Sequence, residues 1–110
     1  MGLDLKLLPA YNNTDFSREC LMLERDEVLF ELIKAAQVAF GYDAPRSGIT
    51  TVLSDREIGY DSYHNRIKSL TASELHNAWR GYKPTDTKNA AIMAFVSLLP
   101  SDTIIWLYWC

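Results

Sequence analysis

The run Tyr60-Asp61-Ser62-Tyr63-His64-Asn65-Arg66 concentrates more reactive side-chain types than any other part of the chain. An acid, a hydroxyl and an imidazole within four positions are the components of a nucleophilic triad. His64 would be the base, and Asp61 or Glu57 its partner, in a small hydrolase or nucleic-acid-processing enzyme. Working triads, however, are assembled from separated elements, and no glycine-flanked elbow surrounds Ser62. The run reads better as a recognition loop, since tyrosines beside an arginine are what binding hot spots are made of. The plainest reading is a solvated loop with its tyrosines on the domain surface.

A second group is Trp79-Arg80-Gly81-Tyr82-Lys83, followed by Lys88. Interleaved aromatic and basic residues can stack on unpaired bases while meeting phosphates. The acidic chain and the small number of local cations speak against nucleic acid, and Trp79 fits better as an anchor of a short helix in the core, with Arg80 and Lys83 solvated. The candidate partner-binding residues are therefore Tyr60, Tyr63, His64, Arg66, Trp79, Arg80 and Tyr82. An acidic helix face, Glu24, Glu27 and Glu31, is a further surface, of a kind that is usually just solvent-exposed.

Other chemistries lack their residues. His64 and His76 are the only histidines, and their spacing is no zinc pattern. Five glycines are scattered singly, so no phosphate-cradling loop exists, and the two cysteines, Cys20 and Cys110, form no CxxC or Cys/His motif. No catalytic residue, metal or cofactor is expected, and Cys20 is expected to be a small core side chain without a disulfide. The net charge is −3; residues 1–40 carry seven acidic and four basic side chains, while the remainder is balanced. That is the wrong sign for a general phosphate binder. Met1-Gly2-Leu3-Asp4-Leu5 has neither a basic start nor a long apolar run, Lys6 spoils a myristoylation signal, and no stretch reaches the roughly 20 apolar residues of a membrane span. The expected location is the cytoplasm, and the sequon Asn12-Asn13-Thr14 carries no weight there.

These residues must be held by a core, and the chain end shows where it lies. In Ser101–Cys110, Ile104, Trp106 and Tyr108 line one face of a strand, and Ile105, Leu107 and Trp109 the other. A strand uncharged on both faces needs cover above and below. Leu3, Leu5 and Leu7 alternate with polar residues in a first strand that Pro9 stops. Phe16 to Leu23 is expected to be a second strand, with Phe16, Cys20 and Met22 on one side; the alternative extends the following helix back to Ser17. Val28, Leu29, Leu32, Ile33, Ala36 and Phe40 share a helical face, with Asp26 and Glu27 in the first turn and Gly41 as the stop. Residues 42–70 lack a regular period apart from a short edge strand at Ile49–Leu53. Thr71 and Glu74 form a capping box for a helix over about Ala72–Arg80. Thr85 or Asp86 caps a last helix, Thr87–Leu99, so apolar around its circumference that it is expected to be the most buried.

The order implies one α+β domain over residues 1–110. The expected architecture is a small antiparallel sheet of about three strands, the carboxyl-terminal strand central and the first strand beside it, covered by about three helices.

The opening Met-Gly-Leu-Asp-Leu-Lys-Leu-Leu-Pro, the segment Cys20-Leu21-Met22-Leu23-Glu24-Arg25 and the ending Ile-Ile-Trp-Leu-Tyr-Trp resemble small uncharacterised phage and prophage accessory proteins. The resemblance covers about a third of the chain and includes no catalytic motif. It implies a non-enzymatic binder of a host or phage protein, such as an inhibitor or modulator of a host defence factor, working in the host cytoplasm. A homodimer is a separate expectation that does not rest on the resemblance.

Overall fold

Ile104–Trp109 is the middle strand of a five-stranded antiparallel sheet. The computed structural model describes residues 3–13 and 20–110. In chain order the elements are β1 (Leu5–Ala10), a 3-10 turn (Tyr11–Asn13), β2 (Leu21–Leu23), α1 (Glu27–Phe40), β3 (Tyr42–Asp43), β4 (Thr51–Leu53), β5 (Arg56–Ile58), β6 (Lys68–Thr71), α2 (Ala72–Ala78), α3 (Thr87–Ser97) and β7 (Ile104–Trp109). The sheet runs β2-β1-β7-β6-β3, and β4-β5 is a separate hairpin. The α+β class and the central terminal strand agree with the sequence reading. The sheet is larger than expected, because β6 and the two-residue β3 come from the stretch that shows no period. In β6 the alternation is hidden: Ser69 is fully buried opposite Trp106, although its side chain is polar.

Register explains the two apolar faces of β7. Leu5↔Trp109, Leu7↔Leu107 and Leu70↔Ile105 pair on the face that α1, α2 and α3 cover. Leu8↔Trp106 and Ala10↔Ile104 pair on the other face. There the cover is not a helix. Ala44, Ile49 and Ile67 close over Trp106, with Leu53 and Ile58 of the hairpin packed against them. The edge strand expected at Ile49–Leu53 is thus half of a lid.

Helix α1 starts where Asp26 accepts from the Leu29 amide at 3.1 Å and stops at Gly41. A Cβ at Gly41 would collide with the Gln37 carbonyl oxygen, so the chain can turn this closely only without a side chain. The buried face is Leu29, Phe30, Ile33 and Ala36; Val28 and Phe40, expected to be inside, are exposed. The capping box on α2 is present, with Glu74 N donating to Thr71 Oγ1 and Thr71 N to Glu74 Oε1.

Helix α3 corrects the expectation that it is the most buried. It lies against α2 and the edge strand β2, and only Asn89, Ile92 and Val96 are covered, a stripe at helical spacing. Asn89 is fully buried because its amide replaces a strand partner. It accepts from Glu24 N at 2.8 Å and donates to Glu24 O at 2.9 Å. Cys20 is exposed and not in the core, and both cysteines are free thiols. Residues 14–19 of the expected second strand and sequon, Phe16 among them, lie outside the described residues. No helix among the described residues is long and apolar enough to cross a membrane.

Candidate functional site

The run that carries the reactive side chains is a tightly closed turn. Tyr60 and Arg66 face each other in an antiparallel bridge, and Asp61 N donates to Asn65 O at 2.8 Å. Inside it, Asp61 Oδ1 accepts from the amides of Tyr63 at 2.9 Å and Asn65 at 3.0 Å, and the Asp61 carbonyl accepts from His64 N. An aspartate here satisfies amides that the tight turn leaves unpaired. The turn is seated on the end of β7: Ser62 N donates to Trp109 O at 3.1 Å, and Ser62 Oγ lies 3.1 Å from the Tyr108 hydroxyl.

This geometry separates the apparent triad. Asp61 is buried and committed to backbone amides, Ser62 is turned to Tyr108, and His64 projects from an exposed left-handed residue at φ 61°. Among the described residues no hydrogen bond or ion pair links the His64 ring to Asp61 or Glu57, and no group of three His, Cys, Asp or Glu could hold a metal ion.

Seating the turn beside α1 creates a groove of about 760 Å³, within the roughly 300–1,000 Å³ typical of ligand clefts. One wall is Lys34, Gln37 and Val38 of α1; the other is Tyr63, Asn65 and Arg66; Trp109 lies between them. The indole is held on three sides. Its Nε1 donates to Gln37 Oε1 at 2.8 Å, Phe30 meets it edge-on at 5.6 Å, and the Lys34 ammonium sits 5.5 Å from the ring centre. Val38 is 87% exposed on the rim and Tyr63 41% exposed.

Three cations border the groove, and their partners differ. Lys34 is 3.7 Å from Glu31, and Lys68 is paired with Asp43 at 2.6 Å, an arrangement that holds the Asp43 carboxyl below its usual range through the hydrogen bond. Among the described residues Arg66 forms no ion pair, although its charge also helps to lower the Asp43 carboxyl. The arginine donates to Ala44 O at 2.8 Å and to the Tyr60 hydroxyl at 3.3 Å, with its guanidinium over the Tyr60 ring.

The seven sequence candidates therefore do not form one surface. Tyr63 and Arg66 line the groove; Tyr60, 56% exposed, supports Arg66 from outside it; His64 is on the exposed crest of the turn. Trp79 is 3% exposed in the core between the helices, so its ring is not available to a partner. Tyr82 is half-buried, and its hydroxyl is bonded to Asp26, which pushes the phenol pKa above its ordinary value. Asp26 is eleven residues from Gln37, about 16 Å along a helix. Trp79, Arg80 and Tyr82 thus belong to the other end of α1. Lys34, Gln37, Val38, Lys68 and Trp109 were not among the candidates. The one hint in the sequence was Val38, an apolar residue off the helix's inward stripe.

Comparison with protein-family models, curated protein sequences and solved structures found no match.

Proposed function

We propose that this chain is a non-enzymatic binding protein whose recognition surface is the groove between α1 and the Tyr60–Arg66 turn. The observation that carries this reading is the combination at that groove of two exposed apolar side chains, Val38 and Tyr63, over a fixed indole and beside an arginine that forms no ion pair among the described residues. Aromatic and arginine side chains on rigid supports bind at low entropic cost. The resemblance at the chain ends adds the setting: an accessory protein that inhibits or modulates a host protein in the host cytoplasm, to which two free thiols are suited. Hydrolysis through His64 receives no support from a carboxylate that already serves two amides.

The test is capture from host extract by the parent and by Val38→Asp and Tyr63→Ala, chosen because both side chains are exposed and their loss leaves the core intact. The reading expects one protein retained in stoichiometric amount by the parent and lost by both variants, whose thermal melts match the parent's. Equal retention by the variants, or no retained protein, overturns it.

A further inference from the structure

Resting on the groove as the binding surface, we infer that its occupant is a peptide segment of a partner protein in which an acidic residue adjoins an aromatic or aliphatic anchor. The anchor has a seat on the exposed side chains of Val38 and Tyr63, above Trp109, which packing leaves only 6% exposed. The acid has a partner in Arg66, whose guanidinium is held by Ala44 O and Tyr60 and, among the described residues, forms no ion pair, Asp43 acting on it only at longer range. Two of the five guanidinium N–H groups are engaged there, and the remaining donors can meet a carboxylate with a directionality that an ammonium does not offer. Lys34 and Lys68 reinforce the sign, although each also faces a carboxylate of this chain, Glu31 and Asp43. Asp61 faces the groove as the opposing charge, but its Oδ1 already accepts two amides.

The neighbouring surface sets the direction. A second groove, of about 500 Å³, runs along α1 on the far side of Lys34 and is walled by Asp26, Glu27 and Glu31, with Arg25 tied to Asp4. A segment with its acid at Arg66 and its anchor on Val38 and Tyr63 then continues past Lys34 toward carboxylates. Its residues there are neutral or basic, because like charges at close range oppose association. The occupant is therefore polar in sequence, acidic at one end only.

The experiment is selection of random twelve-residue display peptides on the intact protein, with the survivors rescreened on Val38→Asp and on Lys34→Glu/Arg66→Glu. The expected survivors are lost on Val38→Asp and carry Asp or Glu beside an aromatic or aliphatic residue, with no acid beyond it. They bind the double charge variant at least tenfold more weakly and weaken as salt rises. Survivors that depend on Val38 but show no excess of acid, or bind the charge variant unchanged, overturn the ligand chemistry and leave the groove as the binding surface. A selection yielding no peptide sensitive to Val38→Asp overturns both.

Discussion

The Tyr82 hydroxyl donates to Oδ2 of Asp26 at 2.6 Å, while Oδ1 of the same carboxylate caps α1 through the Leu29 amide. One aspartate thus starts a helix and clips the segment between α2 and α3 against it. Asp26→Ala is expected to lose the cap, about 1 kcal/mol, and to release the phenol as well. In Asp26→Ala the Tyr82 phenol should titrate at a lower pH than in the parent, since the hydrogen bond to Asp26 is the largest cause of its raised pKa. Urea melts and ultraviolet titration of tyrosine check the two effects separately; a Tyr82 titration unchanged by the substitution would contradict the clip.

Asp61 and His64 are three residues apart and should differ sharply. Asp61→Ala leaves the amides of Tyr63 and Asn65 without their acceptor, which should cost about 1–3 kcal/mol. His64→Ala removes an exposed ring and should stay within about 0.5 kcal/mol of the parent. Chemical denaturation of both variants decides whether the carboxylate is structural. A stable Asp61→Ala would return it to the pool of reactive groups.

Removal of Trp106–Cys110 should abolish soluble folded protein. Trp106, Leu107 and Trp109 are all buried at the middle of the sheet, each contributing about 1.5–3 kcal/mol or more by burial, against a total stability of about 5–15 kcal/mol. A truncated chain that stayed monomeric with a cooperative melt near the parent's would show that strand to be dispensable.

Thr51 is fully buried, and among the described residues its hydroxyl has no hydrogen-bond partner. Thr51→Val keeps the shape and removes the orphaned group, so stability should stay level or rise by up to about 1 kcal/mol. A loss beyond about 1 kcal/mol in urea melts would mean that the hydroxyl is bonded after all.

Two surface aspartates contribute to the acid limb of stability. Arg25 holds the Asp4 carboxyl below its usual range through a hydrogen bond, and Lys68 does the same for Asp43. A depressed native pKa means that the unfolded chain takes up the proton first. The contribution is complete above the unfolded aspartate value and is lost as pH falls through the native one. Asp4→Asn/Asp43→Asn should therefore be less stable than the parent at neutral pH, with the gap closing in strong acid. Urea melts across pH test this, and a gap independent of pH would contradict it.

The sequence by itself determined the parts whose signals are local. Alternation of uncharged residues in Ile104–Trp109 marked a strand covered on both faces, and period, caps and breakers marked α1, α2 and α3, because these depend on neighbours within a few positions. It also singled out the Tyr60–Arg66 run. What only the tertiary structure decided is which face each element turns inward and what meets across it. Strand β6 was hidden because Ser69 is buried by its position opposite Trp106, not by its own chemistry. Helix α3 has a stripe of apolar residues on nearly every side, and its seat over an edge strand left most of them outside. Trp79 and Trp109 look alike in sequence, and packing buries both; only Trp109 also borders the groove. The groove itself joins residues 34–38, 61–68 and 109, and contacts at such separations are set by the sheet register that brings the end of β7 beside α1.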